Sequence, residues 1–164
     1  MLLNLPLIAK MHLVNSTILF TLNKNIPIII RERFSGEIVK IDNCSLTLFS
    51  SGKVIATGKH ISEEKRKIVE QVLKDRNFKV KIVSTKIINM VFSGQVSLAT
   101  SWFEATRLPC FTYEPELFPS CIWKAGKAIV SLFSSGKYII TGVQSESSAH
   151  ETEHDFLEKI SRLL

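Results

Sequence analysis

Leu48-Phe-Ser-Ser-Gly-Lys-Val-Ile-Ala-Thr-Gly58 recurs as Leu132-Phe-Ser-Ser-Gly-Lys-Tyr-Ile-Ile-Thr-Gly142, with nine of eleven positions identical at an offset of 132 − 48 = 84. The same offset carries Phe34 onto Phe118. In each copy, therefore, a phenylalanine stands fifteen residues before the phenylalanine of the Phe-Ser-Ser-Gly-Lys element. Two separate features in one register mark an internal duplication, which governs how every other element is read. The copies divide the chain into residues 1–82 and 83–164.

Within each copy the Ser-Ser-Gly-Lys segment reads as a hairpin turn between β-rich runs such as Ser45–Phe49 and Val54–Thr57, with glycine supplying the positive φ of a tight turn. After the first hairpin, Ser62 has the chemistry of an N-cap, and Glu63 and Glu64 suit the first turn of a helix dipole. Ile68, Val69, Val72 and Leu73 then form an apolar stripe at helical spacing, which leaves Lys65, Arg66, Lys67, Glu70 and Lys74 towards solvent. The second copy closes with a helix near Ser147–Leu164, whose stripe is Phe156, Leu157, Ile160, Leu163 and Leu164. Shorter helices are predicted at Thr17–Lys24 and Ala99–Thr106. Strands in hairpins with segregated helices predict an α+β fold, an antiparallel sheet with helices on one face. Two copies edge to edge make one continuous, pseudo-two-fold sheet. Its uncovered face displays small, β-branched and aromatic residues, the kind of surface that signals binding.

Composition narrows the function further. The 164 residues, 45% hydrophobic and 22% charged, are enough for a sizeable core and are neither disordered nor collagen-like. The most apolar stretch, Met1–Val14, is broken by Asn4, Pro6, Lys10 and His12, so neither a membrane span nor a signal peptide is expected there, and no membrane partner. Cys44, Cys110 and Cys121 are odd in number and lack Cys-x-x-Cys spacing. They suggest no disulfide framework and no cysteine zinc site, in keeping with a reducing, intracellular compartment. The net charge of +6 is unevenly shared: residues 1–82 carry 14 − 7 = +7 and residues 83–164 carry 7 − 8 = −1.

Tyr113-Glu-Pro-Glu-Leu-Phe-Pro119, followed by Ile122-Trp-Lys124 and by Phe133–Gly142, resembles the second repeat of the TATA-box-binding protein family. Ile87-Ile-Asn-Met-Val91 is similar to the strand that opens that repeat. The resemblance is strongest over Ile87–Gly142 and Leu48–Glu64. It implies a saddle-shaped, curved antiparallel sheet with helices on the convex face, whose concave face enters the DNA minor groove and bends the duplex. The function implied is that of a non-enzymatic general transcription factor without cofactor. It binds A·T-rich promoter DNA and recruits a transcription factor IIB-like protein, with IIA-like or other associated factors as further partners. Location follows source: the nucleus in a eukaryote, the cytoplasm in an archaeon or a viral factory.

Carried over residue by residue, the resemblance assigns DNA intercalation to Phe34, Phe49, Phe118 and Phe133. Pro119 follows Phe118 as in the family, with Ser35 at the corresponding place in the first copy. The minor-groove floor falls on Asn89, Val91, Ile55, Thr57, Ile139 and Thr141, and phosphate contacts fall on Lys40 and Lys124. Glu114 and Glu116 match acidic positions offered to the IIB-type factor, and Lys65 and Arg66 lie on a helix that serves as a partner surface. Aligning the short helices puts Lys10 in the place of the second central Asn. A registration that gives this place to Asn15 deletes most of the first short helix, which favours Lys10. Thr47 and Ser131 stand where the family has Leu. These departures motivate a second reading, a protein-interaction module that keeps the fold with weakened or lost specific DNA binding.

His150-Glu-Thr-Glu-His154 satisfies the H-E-x-x-H zinc-protease pattern on a predicted helix. No further His follows it, and it falls on the solvent side of the apolar stripe, so a solvated polar face is the preferred reading. Gly52-Lys53 and Gly136-Lys137 lack the earlier glycine and the following Ser/Thr of a phosphate loop.

Overall fold

The computed structural model describes residues 9–30 and 32–164. Along the chain run β1 (Ala9–Leu22), β2 (Gly36–Ile41), β3 (Cys44–Phe49), β4 (Lys53–Gly58), α1 (Ser62–Asp75), β5 (Ile82–Gln95) and α2 (Trp102–Thr106). They are followed by β6 (Ser120–Ala125), β7 (Ala128–Phe133), β8 (Lys137–Val143) and α3 (Glu146–Ile160), with a final 3-10 turn at Ser161–Leu163. The eight strands are ordered β2-β3-β4-β1-β5-β8-β7-β6, and the hairpin pairings are antiparallel. This is the α+β class expected from the repeats. Two compact units divide the chain. One is Val14–Asn89, and the other is Met90–Leu164 with the described part of Met1–Leu13.

The duplicated turn organises both units in the same way. Gly52 (φ +78°) and Gly136 (φ +81°) occupy the left-handed region, where a side chain is strained. Their N–H groups donate to Phe49 O (3.0 Å) and Phe133 O (2.9 Å), and their carbonyls accept from Leu22 N–H (2.8 Å) and Val96 N–H (2.9 Å). Each turn is thereby docked on the end of a long strand. A Cβ on Gly52 would lie 2.5 Å from Lys24 O, and one on Gly136 would lie 2.0 Å from Val96 O.

From these turns the side chains alternate strictly between the two sheet faces. In β3, Cys44, Leu46 and Leu48 are buried while Ser45, Thr47 and Phe49 are half-buried; in β7, Ala128, Val130 and Leu132 repeat the buried set. In the Val14–Asn89 unit the buried face packs Ile18, Phe20, Leu46, Leu48, Val54 and Ala56 against Val69, Val72 and Leu73 of α1. In the other unit Leu132, Tyr138 and Ile140 are buried with Phe156 and Ile160 of α3, and the Tyr138 and Phe156 rings lie 5.1 Å apart. One core position is exchanged between the copies. Phe20 faces Val54 across β1 and β4, whereas Gly94 faces Tyr138 across β5 and β8. Tyr138 fills the space above Gly94 so closely that a Cβ there would sit 2.1 Å from the phenol oxygen. The Tyr138 hydroxyl donates to Glu153 of α3.

Several local expectations are corrected. Thr17–Lys24 is not a helix: Thr17–Leu22 belongs to β1, because Ser16, Ile18, Phe20 and Leu22 are buried in alternation with half-buried neighbours. β-branched Thr17, Ile18 and Thr21 suit that pleat. The helix expected at Ala99–Thr106 is confined to α2. Ser62 is the first helical residue and not the N-cap; Ile61 is the N-cap, and its N–H donates to the Glu64 carboxylate at 3.3 Å. The closing helix starts one residue early, at Glu146, where Ser145 Oγ accepts Ser148 N–H at 3.1 Å.

Lys65 does not face solvent; it is 0% exposed. It stands one turn before Ile68 and Val69, on the same helical stripe. Its ammonium donates to Gly58 O (2.8 Å), to Ser16 Oγ (2.6 Å) and to Ser16 O. Three oxygens thus take its three hydrogens and tie α1 to β4 and β1. Burial lowers its pKa, and the nearby Cys44 opposes that shift.

Burial pushes the Cys121 thiol up from 9.0 to about 11. The unfolded chain therefore releases this proton before the folded one does, so Cys121 lowers stability as pH rises through that interval. Cys121→Ala should lose less stability than the parent between these two pH values, measured by denaturant unfolding. Gly136→Ala should cost about 1–3 kcal/mol in the same experiment, because both the φ and the Val96 carbonyl oppose a methyl group.

Candidate nucleic-acid interface

Strand alternation that buries one face on helices leaves the other face of each unit open. In the Val14–Asn89 unit, Ile38, Thr47, Ile55 and Leu19 stand in one cross-strand row, and Lys40, Ser45, Thr57 and Thr17 stand in the next. In the other unit, Ile122, Ser131, Ile139 and Ser93 form the matching row, with Lys124, Ile129 and Thr141 beside it. Ile55, Thr57, Ile139 and Thr141 are half-buried. Each open face is thus a pleat of aliphatic and hydroxyl side chains. Lys40 and Lys124, both exposed, occupy the same outer-strand place in the two units.

The four phenylalanines come together as two pairs. The Phe34 and Phe49 rings are 6.3 Å apart at 55°, and the Phe118 and Phe133 rings are 6.2 Å apart at 59°. Phe34 is 45% exposed and Phe118 46%. Near-identical geometry from residues fifteen apart in two copies is the most specific feature of the surface. Both members of each pair lie at the Gly-turn end of a hairpin, since Phe49 and Phe133 are the last residues of β3 and β7. Pro119 follows Phe118 in an exposed loop.

The long strands require a different registration from the one expected. Leu19 and Ser93 face the equivalent residues Ile55 and Ile139, so β1 and β5 superpose at an offset of 93 − 19 = 74. Carried on along the chain, that offset sets Asn15 against Asn89 and Thr17 against Val91, past the register shift that the β5–β8 ladder makes between Met90 and Phe92. The helix that favoured Lys10 does not exist. Lys10 is exposed on β1, five residues before Asn15. Asn15 and Asn89 are both half-buried, and Asn15 Oδ1 accepts the Gly58 N–H at 3.0 Å. Val91 is half-buried between buried Met90 and Phe92, at an irregularity in the β5–β8 ladder. The sequence offers Asn15 only as the alternative to Lys10, and it does not single out Thr17 or Leu19. The signal available was the period-2 pattern of Ser16–Leu22, together with the hairpin that pairs with it.

Glu114 and Glu116 are exposed in the loop before β6. That loop is closed by Thr112 and Ile122, which exchange two backbone hydrogen bonds of 2.8 Å, and Leu117 at its tip is 78% exposed. Arg66 is half-buried, with Nε 3.0 Å from Glu70 and Nη1 3.4 Å from Thr85 Oγ1. It borders a groove of about 570 Å³ that also holds Lys74, Lys79 and Lys81. Lys65, being buried, offers no surface to a partner. On α3 the two histidines of the H-E-x-x-H pattern have different neighbours: His150 lies 3.4 Å from Glu153, and His154 lies 3.6 Å from Asp155.

Duplicated α+β halves, each with helices on one sheet face and an aromatic pair beside the other, define a class of tandem-repeat α+β proteins. Residues 84–163 match the family described as transcription factor TFIID, or TATA-binding protein. The TATA-box-binding protein of Pyrococcus horikoshii is 36% identical over 140 residues, covering 80% of this chain and 73% of that protein. The TATA box-binding protein-like 2 of Rattus norvegicus is 34% identical over 129 residues, covering 73% of this chain and 38% of that protein. The Methanococcus jannaschii TBP structure superposes with a TM-score of 0.79 at 26% identity, covering 93% of this chain and 99% of that one. The chain belongs to the TATA-box-binding protein family, which is one of transcription factors and not of enzymes.

The exposed rings should be replaceable without unfolding the protein. Phe34→Ala and Phe118→Ala should each cost less than about 1 kcal/mol, whereas Phe156→Ala, which empties a fully buried site, should cost about 3–5 kcal/mol. Chemical denaturation of the three variants checks the contrast.

Proposed function

We propose that this protein is a general transcription factor that binds A·T-rich promoter DNA in the minor groove, bends it and recruits initiation factors. The observation that carries the reading is the pair of matched, half-exposed phenylalanine couples, Phe34 with Phe49 and Phe118 with Phe133. Rings in this position act as wedges: inserted at a base step they unstack it and open the groove towards the sheet. The minor groove of A·T pairs offers acceptors and no amino group, so a floor of Ile55, Thr57, Ile139 and Thr141 fits against it. Asn89 and Asn15 supply amides that can donate to those acceptors. Lys40 and Lys124, on the outer strands, are placed for phosphates, and release of counterions makes the affinity fall with salt.

Glu114, Glu116 and the exposed Leu117 form an acidic, apolar tip suited to a IIB-type factor. Arg66, with the basic groove beside α1, suits an acidic associated factor. Thr47 and Ser131, which make the floor more polar, support the second reading, a protein-interaction module with little DNA selectivity.

Salt-titrated binding to an A·T-rich and a G·C-rich duplex separates the two readings; no preference at any salt concentration would favour the module. The Phe118→Ala, Phe133→Ala double variant should abolish bending measured by fluorescence energy transfer between labelled duplex ends. Bending equal to that of the parent would exclude the wedge role.

A further inference from the structure

We propose that Gln95 is a positioning residue for the second aromatic couple: its side-chain amide holds the Ser134-Ser135-Gly136 turn, so that Phe133 keeps its place as a wedge while DNA is bent. The inference rests on the minor-groove reading above and deepens it. Two holds on the turn are the same in both copies, the glycine N–H on the phenylalanine carbonyl and the glycine carbonyl on the long strand. The third hold differs. In the first copy the chain beyond β1 comes back to the turn, and Ile26 N–H donates to Ser50 O at 3.1 Å. In the second copy the chain beyond β5 goes instead to the closing 3-10 turn, where Ala99 N–H donates to Leu163 O at 2.7 Å. A side chain supplies the third hold there: Gln95 Nε2 donates to Ser135 O at 2.6 Å and to Val96 O at 3.2 Å. Thr21 and Gln95 face the equivalent Lys53 and Lys137, so they are counterparts, and the glutamine amide reaches two bonds further than the threonine hydroxyl.

Both hydrogens of the amide are used, which fixes the side chain, since the opposite orientation would set its oxygen against two carbonyl oxygens. The nitrogen also lies beside Gly136, 3.0 Å from where a Cβ would stand. Phe133 ends β7 two residues before Ser135, so its ring is carried by the turn. Driving a ring into a base step works against stacking, and the step pushes back on whatever carries the ring. A turn that yields lets the ring withdraw and the bases re-stack. Gln95 is exposed, so its bond contributes little to folding. Its contribution is made when the wedge is loaded.

The test is a double-mutant cycle between Gln95→Met and Phe133→Ala, read by affinity for an A·T-rich duplex and by energy transfer between its labelled ends. Methionine keeps the length and neutrality of glutamine and removes the donor. In the parent background Gln95→Met should reduce bending of the bound duplex and weaken binding about fivefold. In the Phe133→Ala background it should leave bending unchanged and alter affinity less than about twofold, because the ring through which it acts is gone. Equal losses in both backgrounds would overturn the inference, since Gln95 would then touch the DNA itself or act on the fold. Unchanged bending in Gln95→Met beside a defective Phe133→Ala would overturn this inference alone. Binding and bending by Phe133→Ala equal to the parent's would remove the wedge reading, and this inference with it.

Discussion

Each copy depends on a glycine held in a left-handed turn against the end of a long strand. Gly52 and Gly136 bond to Leu22 and Val96 through their carbonyls, and the close approach of Lys24 O and Val96 O leaves no room for a side chain. The turn therefore sets the register of three strands at once: the two arms of its hairpin and the long strand beside them. In a sheet, a slip of one residue moves every side chain to the opposite face. With the turn fixed, Leu48 and Val54 are committed to the helix side and Phe49 and Ile55 to the open side, and their counterparts in the second copy follow. The aromatic couples are a consequence of that commitment.

The two cores reach the same architecture with different volumes. Phe20 against Val54 in one copy becomes Gly94 against Tyr138 in the other, a large-for-small exchange across one pair of facing residues. Close packing makes the exchange obligatory, since an interior tolerates neither an empty site nor an extra methylene without cost. The phenol then needs a partner, and Glu153 of α3 accepts from it. Lys65 answers a similar need in the first copy, where its ammonium joins α1 to the backbone of β1 and β4. A position that reads as a basic surface residue is there a buried structural tie.

Charge is arranged by role more than by total. The first copy carries +7 and the second −1, yet the lysines of the open faces are matched, with Lys40 and Lys124 at the same place in each copy. Much of the remaining excess borders the groove beside α1, through Arg66, Lys74, Lys79 and Lys81. A polyanion attracted by net charge alone would be drawn to the helix side of that unit.

The duplication, the hairpin turns, the four phenylalanines and the matched lysines are legible in the residues alone. Identity at a constant offset does not depend on any guess about secondary structure, and Phe34, Phe49, Phe118 and Phe133 could be paired before their contacts were known. The registration of the long strands was decided only by the tertiary structure. Val14–Leu22 carries polar and β-branched residues that satisfy a short helix or a strand equally well in isolation, and only pairing with β4 selects the strand. That choice moved the counterpart of Asn89 from Lys10 to Asn15 and brought Thr17 onto the open face. Lys65 was likewise decided by packing, because helical spacing shows which residues share a stripe but not whether three oxygens wait at the end of a long side chain.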